Sequence, residues 1–165
     1  MLFWGIALVL LDADVTFGTA AVDILPDFIG FDLMRRGMES MAGTEAEFDR
    51  GRHWAFGMEL IAVILYGARI LRPDTHGRVA VWILRLILRC AFLVLLYFIV
   101  RVTCRMGQEK QTERVKGLYP VIAVLHPVCA LVSWIPVIGG ISRIASAVLS
   151  LCFLAAFGGC IPKRT

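Results

Sequence analysis

Four long apolar stretches most constrain what this 165-residue chain can fold into. A helix needs about 20 residues to cross a hydrocarbon core of about 30 Å. Hydrophobic residues make up 59% of the chain, against about 45–50% in an ordinary soluble domain. A globule this small cannot bury that surplus, so we expect an all-α integral membrane protein whose apolar helices face lipid. The four predicted spans are Trp54–Leu71, Ala80–Val100, Leu118–Ile135 and Ile141–Ile161.

Charged residues and prolines mark the ends of these spans. Arg72 and Pro73 close the first span, and Pro120 falls near the first turn of the third. Pro136, with the glycines that follow it, predicts a tight turn before the fourth span. We therefore expect one integral membrane domain over residues 1–165, with a four-helix transmembrane bundle over 54–161 and a different kind of segment over 1–53.

The chain begins with a short apolar segment. Met1–Leu11 covers only about 16 Å as a helix, and Asp12 and Asp14 follow it directly. Crossing a membrane by continuing through Val22 would carry both aspartates inward at considerable cost. A secretory signal cleaved near Gly18-Thr19-Ala20 is the alternative interpretation, but no basic residue precedes the apolar core. We expect a short apolar helix.

An amphipathic helix is predicted next, with Asp23 as its N-cap, Pro26 in its first turn and Asp27 at its positive end. Through Met41, apolar residues recur at helical spacing on one side of this helix, and charged residues lie on the other side. Its charges favour an interfacial or half-inserted helix over a full crossing. This helix and the short apolar one form a predicted N-terminal hairpin, and Gly43–Arg52 follows as a charged loop or short helix.

The opening residues carry a resemblance. Leu2–Leu11, the acids Asp12 and Asp14, and the run Asp23–Gly30 (DILPDFIG) resemble a group of uncharacterised small multi-pass membrane proteins from Gram-positive gut and soil bacteria. The resemblance covers about the first 50 residues and implies a membrane location without an assigned activity. In those relatives the helix after the motif is more apolar, whereas this chain has charged residues there: Asp32, Arg35, Arg36 and Glu39.

Basic residues predict the orientation in a bacterial cytoplasmic membrane. The net charge is +4 and the pI is about 9.0, but the Lys and Arg residues flank apolar stretches instead of forming a nucleic-acid-binding patch. Four spans place most of them on one side, which the positive-inside rule makes cytoplasmic together with the C-terminus. We expect the lipid bilayer, a second copy or another membrane protein as partners, and no nucleic acid. The basic residues on that side are Arg35, Arg36, Arg50, Arg52, Arg101, Arg105, Lys110, Arg114, Lys116, Lys163 and Arg164.

The acids between the first two helices partly match the spacing of a calcium-binding loop. Asp12, Asp14 and Asp23 occupy positions 1, 3 and 12 of an EF-hand-like spacing. Phe17 stands where the sharp turn needs glycine, so helix capping and turn formation are the simpler interpretation. Cation binding by these acids and Asp27 is the alternative, and we expect no resident metal or cofactor. The five cysteines form no CxxC pair and are expected to be reduced.

Charges inside the predicted spans are the main candidates for function. Arg85 and Arg89 share one helical face, and Glu59 is the acid of the preceding span. An antiparallel hairpin would bring Glu59 within about one turn of Arg89, with Asp12 or Asp14 as alternative partners for the arginine. Such a pair can mark a substrate or proton pathway, or it can fix helix packing, which we favour.

His126 is the remaining candidate. It precedes Pro127 within the third predicted span, where a proline kink is expected, and either a relay role or an ordinary kink fits that position. The chain contains no GxSxG, HExxH, Walker A or GxGxxG motif. We therefore expect a non-enzymatic accessory or oligomeric membrane component. The first alternative is a small transporter or ion-conducting protein, and the second is a membrane enzyme that uses the acids of Asp12–Asp27.

Overall fold

A computed structural model describes the chain over residues 1–11, 14–17, 20–23, 26–41, 43, 46–71, 79–106, 109–132 and 136–160. The protein is helical, as predicted. Its elements in chain order are α1 (Leu2–Leu11), β1 (Asp14–Phe17), β2 (Ala20–Asp23), α2 (Asp27–Glu39), α3 (Ala46–Leu71), α4 (Val79–Met106), α5 (Glu109–Val132) and α6 (Pro136–Gly158).

The four predicted spans fall largely within α3, α4, α5 and α6. Among the described residues, one helical segment is long and apolar enough to cross a membrane, and this is Ile83–Arg105 in α4. Leu2–Leu11 and Ile144–Gly158 are shorter apolar helices. By length and composition, this segment is therefore a candidate membrane span.

The connection between α1 and α2 differs from the predicted acidic turn. β1 and β2 pair antiparallel, with Asp14 opposite Asp23 and Phe17 opposite Ala20. The prediction that Asp23 caps the next helix is wrong, because Asp23 lies in β2 and α2 begins at Asp27, after Pro26. Proline disfavours helical dihedral angles in the residue before it, which favours a helix that starts after Pro26.

Helices α1 and α2 pack through glycines at very short range. A Cβ on Gly5 would lie 2.6 Å from the Gly30 carbonyl oxygen, and a Cβ on Gly37 would lie 2.6 Å from the Leu2 nitrogen. Both neighbours are backbone atoms, which cannot move aside as a flexible side chain can. Gly30, the last residue of the DILPDFIG run, has no side chain, and this lets the backbones of α1 and α2 approach each other.

The chain divides into two compact units, Met1–Leu95 and Leu96–Thr165, with the boundary inside α4. The sequence had instead separated residues 1–53 from 54–161, and that boundary falls inside α3. The prediction of one integral membrane domain stays a prediction. In the first unit α2 packs on both α1 and α3, around a buried core formed by Ile6, Phe31, Met34, Met38, Phe48 and Ala55.

The second unit is built on α5 and α6, which pack along each other. Phe153 and Phe157 stack with ring centroids 5.8 Å apart, and Ile122 is fully buried. At the connection from α4, the Thr112 hydroxyl donates to the Cys104 carbonyl oxygen at 3.4 Å. All five cysteines are free.

Two proline assignments from the sequence need correction. Pro136 does not lie in a turn before the last helix but is the first residue of α6, where its missing N–H would have no helical partner. Pro120 does not open its helix, because α5 begins at Glu109, so both Pro120 and Pro127 lie inside α5. The polar residues from Glu109 onwards extend the helix beyond its apolar part.

Candidate functional site

The described residues form two polar clusters, one within each compact unit. The first joins α2 to the first half of α3 and is called here the ionic cluster. The second joins α5 to α6 and is called the histidine cluster, which consists of His126, Ser146 and Ser150. The residues of the ionic cluster are Asp32, Arg35, Arg36, Glu39, Asp49, Arg52 and Glu59.

Arg35 is the centre of the ionic cluster. Its Nε donates to Glu59 Oε2 at 3.1 Å across the interface of α2 and α3. Its Nη2 donates to Asp32 Oδ1 at 2.5 Å, one turn earlier on its own helix. The Arg35 and Glu59 side chains keep 29% and 21% of their surface exposed. Hydrogen bonds to Glu59 and then to Asp32 raise the pKa of the Arg35 guanidinium, which stays charged at any physiological pH.

Most of the remaining pairs of the cluster lie within one helix. Arg36 Nε lies 2.8 Å from Asp32 Oδ2, and Arg52 Nε lies 2.9 Å from Asp49 Oδ1. Glu39 lies 3.9 Å from the nearest nitrogens of Arg35 and Arg52, so it extends the network to α3. The acids and arginines of the cluster are paired with one another, which is typical of a cluster that fixes helix packing.

Glu59 thus has a neighbour that sequence reasoning did not find. The hairpin geometry had set Glu59 near Arg89, and the structure places it against Arg35 of the amphipathic helix. Part of this contact could be predicted from the sequence. A charged helix face is indicated by residues that recur at spacings of three and four, namely Asp32, Arg35, Arg36 and Glu39. What that face packs against could not be read from the spacing.

Arg85 and Arg89 are half-buried in α4, and each takes part in interactions of its own. Their pairing with Glu59 stays a prediction.

The histidine cluster was predicted only as a single residue. His126 Nε2 lies 3.2 Å from the Ser150 Oγ and 3.3 Å from the Ser146 Oγ. Ser150 is fully buried, whereas His126 and Ser146 are half-buried. A neutral ring nitrogen can accept from one hydroxyl, and a protonated one can donate to either hydroxyl. In the sequence, both serines are small residues of a kind suited to helix packing, and nothing there connects them with His126.

The acids considered for cation binding are described in part. Asp12 lies outside the described residues, and the backbones of Asp14 and Asp23 pair across the β ribbon. Asp27 is in the first turn of α2, where its charge complements the positive helix end. Within the described ranges, no group of three or more His, Cys, Asp or Glu side chains is arranged to hold a metal ion.

The two clusters differ in what they can do. The ionic cluster consists of charge pairs that hold two helices in register, and the histidine cluster holds a titratable ring beside two hydroxyls that can pass a proton. Neither cluster contains a motif that assigns a reaction. Comparison of the chain with protein-family models, with curated proteins and with solved structures gives no match.

Proposed function

We propose that the protein is a multi-pass protein of the bacterial cytoplasmic membrane and acts as a non-enzymatic accessory or oligomeric component. The observation that supports this is the surface of the four long helices. Each exposes bulky apolar side chains that water would solvate poorly. Exposed apolar patches of this kind mark contact with lipid or with another protein.

These side chains form stripes instead of scattered positions. On α5 the exposed residues recur at spacings of three, four and three, and α6 repeats the same spacings. Such a stripe is one face of a helix. The helices α3 and α4 add exposed residues such as Ile64 and Ile87. The stripe on α5 is Val121, Val124, Val128 and Leu131, and the stripe on α6 is Ile141, Ile144, Val148 and Leu151.

Packing features support an accessory or oligomeric role. The glycine contact between α1 and α2 and the ionic cluster between α2 and α3 both fix helix positions. The resemblance of the opening residues to small multi-pass membrane proteins agrees with this proposal. If all four predicted spans cross the membrane, the distribution of basic residues favours a cytoplasmic C-terminus.

Membrane fractionation tests the proposal. The full chain is expressed in a bacterial host, and membranes are washed with alkaline carbonate and then partitioned in Triton X-114. We expect the chain to stay in the carbonate-washed pellet and to enter the detergent phase, because its exposed stripes require an apolar solvent. A chain that is monodisperse in buffer without detergent would overturn the proposal.

The histidine cluster favours a second candidate, a small transporter or ion-conducting protein. A half-buried imidazole beside two hydroxyls, with half-buried arginines at 85 and 89 on α4, provides polar groups inside apolar helices. Proteoliposomes test it through the flux of protons and small ions. Flux that falls in both His126→Leu and Glu59→Gln but not in the control Arg36→Gln would favour this candidate, and liposomes without flux would count against it.

A further inference from the structure

A groove of about 450 Å³ lies between α3 and α4 within the unit Met1–Leu95. Met58 and Leu88 are buried at its base, whereas Trp54, Ile61 and Ile87 are exposed along its edges. Apart from His53 and the indole N–H of Trp54, the side chains that line it are apolar. The volume is within the range of about 300–1,000 Å³ that is typical of small-ligand sites.

Small residues create the space. Gly57 and Ala91 lie in the lining, one on each helix. A Cβ added at Gly57 would meet nothing within 4 Å, so the groove is open at this position. The lining of α3 runs from His53 to Ile61, a rise of about 12 Å, which is most of one leaflet of a hydrocarbon core of about 30 Å.

One end of the groove is polar and basic. His53 Nδ1 lies 2.8 Å from the Asp49 carbonyl oxygen. A carbonyl oxygen can only accept a hydrogen bond, so Nδ1 is the donor and Nε2 is the ring nitrogen that could contact a ligand. Arg50 is exposed three residues before His53 on the same helix face. The neighbouring acid, Asp49, is paired with Arg52 at 2.9 Å. Trp54, which is exposed at this end, is a residue typical of the interface between lipid and water.

We propose that this groove binds one acyl chain of an anionic glycerophospholipid, with the phosphate beside Arg50, His53 and Trp54. The inference rests on the proposed membrane location. The apolar length accepts the hydrocarbon, and the basic end complements the phosphate charge. A second copy of this chain would instead place an apolar helix face in the groove, and such a face would not complement the positive charge at the basic end.

Native mass spectrometry of the full chain tests the proposal. The delipidated protein in detergent is titrated with palmitoyl-oleoyl phosphatidylglycerol, and in a parallel arm with the phosphatidylcholine of the same chains. Gly57→Leu fills the groove without a backbone clash, and Gly67→Leu is the matched control, because a Cβ at Gly67 also meets nothing within 4 Å on the same helix. Arg50→Gln with His53→Gln tests the basic end.

We expect one tightly retained phosphatidylglycerol, bound at least tenfold more weakly by Gly57→Leu and unchanged by Gly67→Leu. The double glutamine variant should bind both lipids equally. Equal retention by Gly57→Leu and the wild type would overturn the proposal, as would a loss of dimer in Gly57→Leu without any bound lipid, which would assign the groove to a second copy. Recovery of the chain in the aqueous phase of Triton X-114 would overturn the proposed membrane function itself, whereas a membrane-resident chain with unchanged retention would overturn only the groove.

Discussion

Single residues fix how α1, α2 and α3 sit against one another. Gly5 and Gly37 have no side chains at the points where the backbones of α1 and α2 meet. Arg35 joins α2 to the Glu59 carboxylate of α3. The first contact is steric and tolerates no added atom. The second is electrostatic and partly open to solvent, so its strength is limited by screening.

Gly5→Ala should destabilise the first unit by about 1–3 kcal/mol, the usual cost of overpacking. The new Cβ would lie 2.6 Å from both the Gly30 carbonyl oxygen and the Met34 nitrogen, and neither backbone atom can yield. Denaturation by SDS in mixed micelles, followed by circular dichroism, measures the change. Gly67→Ala is the control, which should be neutral or up to about 1 kcal/mol stabilising, because alanine favours the helix and the site is open. Equal stability of the Gly5→Ala variant and the wild type would contradict this packing.

Arg35→Met should cost about 1–2 kcal/mol, less than the roughly 3–5 kcal/mol of a fully buried pair, because both partners stay partly exposed. The same micelle titration measures it. Arg36→Met is the matched control and should cost below about 0.5 kcal/mol, since Arg36 is 58% exposed and its ion pair is within its own helix. In the Glu59→Gln background the effect of Arg35→Met should shrink. Full additivity of the two substitutions would refute the contact between helices.

At the scale of elements, α5 and α6 are held together by apolar packing and by the histidine cluster. Pro120 and Pro127 each remove a backbone donor from α5, yet the helix continues to Val132. His126 lies beside this interruption and reaches α6 through its ring nitrogen. The element therefore combines a weakened backbone with a polar contact to its neighbour.

His126→Leu should destabilise the second unit by about 1 kcal/mol, because the fully buried Ser150 hydroxyl loses its partner on α5. A thermal melt in detergent micelles, monitored by circular dichroism, measures this. The double serine-to-alanine variant at 146 and 150 is the matched background, in which His126→Leu should have a smaller effect. An effect of the same size in both backgrounds would exclude the hydrogen bonds as its cause.

At the scale of the whole molecule, the exposed apolar side chains predict insertion into a membrane, and the flanking basic residues predict the orientation. The exposed thiols of Cys90 and Cys152 lie within apolar helices, so a bilayer around these helices would shield both from water. Ser40 is exposed at the end of α2, the helix whose Arg35 and Arg36 are predicted to lie on the cytoplasmic side. This contrast gives a test of both insertion and orientation.

In intact cells, a membrane-impermeant maleimide should label neither Cys90 nor Cys152, whereas both should react after denaturation in SDS. A Ser40→Cys variant should react with the impermeant reagent only after the cells are opened, because α2 is predicted to face the cytoplasm. A green fluorescent protein fused after Thr165 should fluoresce, and alkaline phosphatase at the same place should be inactive. An active phosphatase fusion would reverse the predicted orientation.

The sequence by itself determined the helices, because apolar run length and periodicity are local properties that survive without a partner. It did not determine that Asp23 pairs with Asp14 in two antiparallel strands, or that the backbone of α1 packs closely against Gly30. It also did not determine that Glu59 lies beside Arg35. It named His126 but did not connect it with Ser146 and Ser150, which are 20 and 24 residues away. Those contacts join separate elements, and only tertiary packing decides which faces meet, since each face could satisfy its apolar or charged residues against several neighbours.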